Sequence, residues 1–277
     1  MELQLGIPLL VLELKGRDNI MIIQGVTLTG VTVVDSSIVT QNLEMNLDPA
    51  DGISGSIWIN SATATGSSLN YALQNSPTTT TVNGSTVLNF AGGTGETLPN
   101  YTKQYAFNST GFGSTLNTSA GFTIDIWASP RLTSDAGCLI KEWGQGTGNV
   151  PDAGYESPVI SFSGGNIQVG YYGTGFTFIT GSAGSFVNGN WYNIVMVYNG
   201  STGATVYVNN VSSLTLTGQR DPPTNDMFSV ALCDDFGNQG TTRYFTGYVG
   251  PFKVYERALT TAERTVNFNA IKNRYGV

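Results

Sequence analysis

The chain has 277 residues, with 12 Lys+Arg against 19 Asp+Glu, a net charge of −7 and only 11% charged residues, where an ordinary soluble domain has roughly 25%. It has no histidine and two cysteines, which excludes Ser-His-Asp and Cys-His nucleophile pairs, histidine zinc sites and all-thiolate metal centres. The acidic balance lacks the basic footprint on which nucleic-acid binding rests.

Residues 1–37 hold two strand-like runs, 9–14 and 20–34, the second containing Val26-Thr27-Leu28-Thr29-Gly30-Val31-Thr32-Val33. The first run cannot easily bury itself alone. Residues 1–37 therefore read as an N-terminal β arm, with Leu9, Leu10, Val11, Leu12, Ile22 and Ile23 as anchoring residues, and 38–277 as the main domain. The most apolar stretch, 7–12, is too short to span a membrane and is flanked by Glu2, Glu13 and Lys15. No basic residues precede it as they would in a signal peptide, so synthesis and retention in a cytoplasm are expected. Residues 54–120 are rich in Ser, Thr, Gly and Asn, including Thr78-Thr79-Thr80-Thr81, and read as a loop-heavy half with short strands.

Beyond residue 120 the period is that of strands. In Phe122-Thr123-Ile124-Asp125-Ile126-Trp127, Phe122, Ile124 and Ile126 share one face and Thr123, Asp125 and Trp127 the other. Residues 159–162 and 167–172, joined by Ser163-Gly164-Gly165-Asn166, predict a hairpin. Residues 192–198 are apolar on nearly both faces, as in a central strand, and Asn199-Gly200 turns them into 204–208. One helix closes the chain. Thr260-Thr261-Ala262-Glu263 is a capping box, the helix runs to about Asn273 with Val266, Ala270 and Ile271 facing the sheet, and Gly276 stops it. In a reducing compartment Cys138 and Cys233 read as two small buried hydrophobes rather than a disulfide. The fold class is all-β, a sandwich with one short C-terminal helix.

Three stretches resemble the laminin G-like, concanavalin A-like jelly-roll family. They are Gly121-Phe122-Thr123-Ile124-Asp125-Ile126-Trp127-Ala128-Ser129-Pro130, then Trp191-Tyr192-Asn193-Ile194-Val195 with Tyr207-Val208-Asn209-Asn210, and the closing strand at 244–260. Asn42-Leu43-Glu44-Met45-Asn46-Leu47-Asp48 is similar to the family's opening strand, so the resemblance covers about residues 38–277. Two departures touch a family-type ligand site: the usual acidic residue of the closing strand is replaced near Gly250-Pro251, and the hairpin glycine is Asn210. The ending, residues 267–277, resembles the tails of such domains in virion proteins of tailed bacteriophages.

A glycosidase needs two carboxylates roughly 5–9.5 Å apart. The best candidate, Asp125, has only Thr123 and Trp127 on its face, and is expected to bond a loop amide at a strand edge. Calcium is the one metal considered, at Asp234, Asp235 and Asn238 beside Asp221 and Asp226, against an ordinary Asx-turn reading of the same loop. Trp143, Tyr155, Tyr171, Tyr172 and Phe176 are the candidate glycan-stacking aromatics, while Trp127 and Trp191 are assigned to the core.

The combination is expected of a non-enzymatic phage virion surface protein, made in the host cytoplasm: a capsid decoration or tail fibre displaying a lectin-like jelly roll. Its partners would be other virion proteins through the arm, host surface polysaccharide, and further copies of itself, without nucleic acid, a membrane span or a required cofactor. A stand-alone carbohydrate-binding module and a polysaccharide depolymerase are the alternatives.

Overall fold

Alternation of apolar and hydrogen-bonding residues, punctuated by Gly and Asn, leaves the backbone little choice but sheets. A computed structural model describes residues 37–62, 69–96, 103–108, 116, 121–132, 136–143, 158–173, 177–220, 227–235 and 238–277. Within these, the side chains at 93–96, 136, 142–143, 172, 227, 233–235 and 238–243 fall outside the description. The expected arm, including Leu9, Leu10, Val11, Leu12, Ile22 and Ile23, lies outside the described residues.

The strands in chain order are β1 (Leu43–Leu47), β2 (Ile53–Ser54), β3 (Ile57–Trp58), β4 (Tyr71–Gln74), β5 (Thr78–Val82) and β6 (Ser85–Glu96). There follow β7 (Tyr105–Phe107), β8 (Phe122–Pro130), β9 (Ala136–Trp143), β10 (Val159–Ser163), β11 (Asn166–Gly173) and β12 (Thr177–Ser185). The last are β13 (Tyr192–Tyr198), β14 (Gly203–Val208), β15 (Val211–Thr217), β16 (Met227–Val230), β17 (Leu232–Asp235) and β18 (Asn238–Tyr255), before helix α1 (Thr261–Tyr275). They form two antiparallel sheets. The first runs β15-β14-β13-β8-β18-β6-β5, with β1 and β17 also on β18; the second runs β12-β11-β10-β9-β16-β7-β4-β3-β2. The threonine run is strand β5, one of the short strands of the 54–120 half, paired with β6 through the Asn83-Gly84 turn.

The apolar face of each sheet meets the other. Phe122, Ile124 and Ile126 of β8, Ile194 and Met196 of β13, and Phe252 and Val254 of β18 pack against Ile160, Phe162, Val169, Phe228 and Val230 of the second sheet. Asn209 and Asn210, both at positive φ, turn β14 into β15, which is why Asn serves in the hairpin position usually given to Gly. In the preceding hairpin the positive φ values fall on Gly200 and Gly203, not on Asn199.

Helix α1 forms as the sequence dictates. Thr260 caps it in a capping box with Glu263, and Gly276 ends it in the left-handed conformation. Arg257 donates to both Glu263 carboxylate oxygens, at 2.9 and 2.7 Å, and holds that carboxyl down at about 2, with the Thr260 bonds assisting. Of the residues expected inward, Ile271 is buried and Ala270 packs against the core, but Val266 is not inward. Arg264, Asn267, Ile271 and Tyr275 are buried, while Val266 is 40% exposed. The helix packs on a sheet face that is already partly polar, so polar residues on the helix find partners there.

Cysteine pairing is a second correction: Cys138 is disulfide-bonded, and no free cysteine stands among the described residues. The expectation of a reducing compartment hid this. The Ala231 amide donates to the Leu139 carbonyl at 2.7 Å, which brings the segments leading to the two cysteines side by side.

Candidate functional site

The outer face of the first sheet carries polar side chains together with the rings of Trp127 and Tyr255. Strand alternation fixes its grid. Across β13, β8 and β18, Val197, Thr123 and Tyr255 make one row, and Val195, Asp125 and Lys253 the next. Asn193 stands opposite Trp127. Helix α1 covers these rows. Asn267 donates to the Tyr255 hydroxyl at 2.9 Å, which donates to the Val39 carbonyl at 3.0 Å, and the Val39 amide returns to Asn267 Oδ1 at 2.9 Å. Thr123 Oγ1 donates to the Arg257 carbonyl at 2.8 Å and accepts from the Leu259 amide at 2.9 Å, tying β8 to the approach to the helix.

Asp125 is not at a strand edge. It is 2% exposed in the middle of the sheet, accepts from Asn193 Nδ2 at 2.7 Å, and faces Lys253 Nζ at 3.8 Å. A carboxylate so enclosed cannot reach a glycosidic bond.

At the C-terminal end of α1 the aromatic rings form a row. Trp127 stacks on Phe268 at 5.7 Å and leans on Tyr275 at 5.3 Å; Tyr275 stacks on Trp191 at 3.9 Å; Trp191 lies against Tyr248 at 6.5 Å. Gly250 makes room for it. A Cβ there would lie 2.5 Å from Tyr275 Oη and 3.2 Å from Trp127 Cβ. Burial, reinforced by Asp48, pushes the Tyr275 hydroxyl well above the ordinary tyrosine range. Beside it Arg274 pairs with Asp48 at 2.6 Å. The neighbouring Asp51 carboxyl is raised by burial and then by Asp48.

The row opens to solvent at its far end. Exposed Arg131 lies over the half-buried Tyr248 ring, 4.7 Å from its centroid, and donates to its hydroxyl. The loop before β13 is bound to the end of β8 by a reciprocal pair, Leu132 N to Asn188 Oδ1 at 3.1 Å and Asn188 Nδ2 to the Leu132 carbonyl at 3.0 Å. Asn188, Gly189 and Asn190 on that loop are exposed. A guanidinium, an aromatic ring and an exposed polar loop thus share one edge. This is chemistry that can recognise a planar anion or a hydroxylated ring through charge-assisted bonds and stacking.

The sequence-based candidates fare differently. Tyr171 is a correction: it is fully buried, its hydroxyl donates to the Gly218 carbonyl at 2.8 Å, and its ring meets Tyr198 edge-on at 5.8 Å. Burial and Tyr198 push its hydroxyl up to about 12. It packs the sandwich and cannot stack on a sugar. The Trp143 and Tyr172 side chains, and Tyr155 and Phe176, lie outside the described residues. So do Asp221 and Asp226 and the side chains of Asp234, Asp235 and Asn238, whose backbone forms the β17–β18 hairpin with Asp235 paired to Asn238. Trp127 and Trp191 are buried, as expected, but under the helix rather than between the sheets. Trp191, 8% exposed, borders the open edge. Sequence reasoning missed Arg131, Tyr248 and the Asn188 loop. Their signal is faint, because three distant segments build the edge.

A family model described as the concanavalin A-like lectin/glucanases superfamily, laminin G group, matches residues 103–263. Among curated proteins, none matches the sequence. Among solved structures, the receptor-binding domain of botulinum neurotoxin C/D mosaic serotype is similar at 8% identity and TM-score 0.60, over 83% of this chain and 52% of that one. The binding domain of botulinum neurotoxin DC in complex with SialylT gives 9% and 0.58, over 84% and 52%. Trypanosoma rangeli sialidase gives 15% and 0.54, over 86% and 34%. The chain spans about half the length of the toxin domains it matches, and at these identities the likeness is one of fold. With two antiparallel sheets, a closing helix and the family match over most of the described domain, the chain belongs to the concanavalin A-like lectin/glucanases superfamily.

Proposed function

We propose that this chain is a non-enzymatic glycan-binding jelly roll displayed on the surface of a tailed-bacteriophage particle, serving adhesion to host polysaccharide and particle stabilisation. The observation that carries the binding reading is the open edge formed by Arg131, Tyr248, Trp191 and the Asn188 loop. A guanidinium held over a ring selects sugars bearing a carboxylate, because it offers paired N–H donors beside an apolar face. The structural neighbours include a domain described as bound to SialylT, which supports the same direction. Against hydrolysis stands the enclosure of Asp125 by Asn193 and Lys253. The sialidase likeness is one of fold, and fold does not carry activity.

The virion setting draws its support from the phage-like ending at 267–277 and the apolar pattern of residues 1–37. The disulfide at Cys138 suits a protein that works in an oxidising exterior. Self-association through the arm belongs to the same reading. Two experiments test it. A glycan array probed with the full chain should show binding that favours acidic sugars, and no signal on any glycan would reject adhesion. Deleting residues 1–35 should abolish incorporation into particles while leaving the sandwich folded, and undiminished incorporation would remove the anchor.

A further inference from the structure

Lys253 and Asp125 are register partners on adjacent central strands, with side chains 1% and 3% exposed. The lysine Nζ lies 3.8 Å from Asp125 Oδ2 and has no hydrogen-bond acceptor. The other carboxyl oxygen, Oδ1, is held by Asn193 Nδ2 at 2.7 Å. A buried ion pair is stable when hydrogen bonds satisfy its remaining protons, and an ammonium has three to place. Here none is placed. The two groups are enclosed together, away from water. Two neighbouring strands fix them face to face, which removes most of the entropic barrier to reaction between them.

We propose that Lys253 and Asp125 react to form an intramolecular amide between β18 and β8. One proton passes from Nζ to Oδ2, and the freed Nζ lone pair attacks Asp125 Cγ. Negative charge gathers on Oδ1, where the Asn193 amide is already placed to stabilise it as an oxyanion-hole donor does. The Cγ–Oδ2 bond breaks as the Nζ–Cγ bond forms. Oδ2 departs as water, carrying its own acid proton and one amine proton. The products are one secondary amide and one water, with no oxidant, reductant or cofactor. The amide carbonyl keeps the Asn193 bond. Asn193 is thus a positioning residue, and the cross-link ties together the two strands at the centre of the first sheet. The inference is independent of what the open edge binds.

The experiment is an intact mass of the full chain, denatured and with its disulfide reduced. The mass should be lower than the sequence mass by one water, and a protease digest should yield a branched peptide joining Asp125 and Lys253. The full sequence mass would overturn the proposal and leave an ion pair only. Lys253→Met should restore the full mass and lower the unfolding midpoint; should that variant fail to fold, the wild-type mass still decides. Asn193→Ser should slow the loss of water, read as a mixture of the two masses in freshly made protein. Complete loss of water in that variant at the wild-type rate would contradict the role given to Asn193.

Discussion

The two faces of β8 are equally buried and built from opposite materials. Inward, Phe122, Ile124 and Ile126 pack in the apolar core shared by both sheets, with the Arg220 guanidinium over the Phe122 ring. Outward, Thr123, Asp125 and Trp127 meet hydroxyls, amides, a lysine and a helix that is itself polar on its buried side. The inner face owes its stability to area removed from water and to close packing, which many apolar residues could supply. The outer face depends on each polar group finding one named partner, so a substitution there acts through geometry more than through volume. The inner face makes the fold, while the outer face places α1, and through Tyr275 and Trp191 the open edge.

Phe252→Ala on the inner face should produce the largest loss, about 3–5 kcal/mol by urea unfolding. A loss below that of an outer-face variant would overturn the contrast. Gly250→Ala should follow, at about 1–3 kcal/mol from overpacking. Its Cβ would meet Tyr275 Oη at 2.5 Å, so the near-ultraviolet signal of the stacked rings should change while the sheet signal stays. Thr260→Ala should cost about 1 kcal/mol through the lost cap.

The Arg257–Glu263 pair gives the contrast a pH dependence. The Glu263 carboxyl sits at about 2 in the folded chain against an ordinary 4.5. Its stabilising contribution is therefore present above about pH 4.5 and is lost as pH falls toward 2. Asp51, raised by burial, works in the opposite direction. Glu263→Gln should flatten the acid limb of a melting-temperature profile, and an unchanged limb would contradict the assignment. Arg131→Ala should be the mildest change in stability, within about 0.5 kcal/mol, since the residue is exposed.

Much of the fold was legible because local rules agreed with tertiary ones. The alternation at 122–127, the turns at Gly164-Gly165 and Asn209-Asn210, and the Thr260–Glu263 box each fix an element from a few neighbours. What failed had to be supplied by distant segments. Val266 was read as inward on apolar grounds, yet Arg264 and Asn267 hold that face because Leu259 and Tyr255 offer them partners. Tyr171 was read as a candidate stacking ring because aromatic type alone does not tell core from surface; the second sheet turns it inward. Cys138 and Cys233 were read as two small buried hydrophobes because a reducing compartment was expected, and no local pattern fixes the compartment. The open edge was illegible because Arg131, Asn188 and Tyr248 come from three segments far apart along the chain.

The measurement that bears most directly on the adhesion reading is a titration of the full chain and Arg131→Ala with an acidic oligosaccharide that the array identifies, each checked by its melting temperature. The account predicts unchanged stability and affinity weakened about tenfold or more, the equivalent of about 1.4 kcal/mol. Equal affinity in the two proteins would contradict it, because binding would then lie elsewhere on the sandwich.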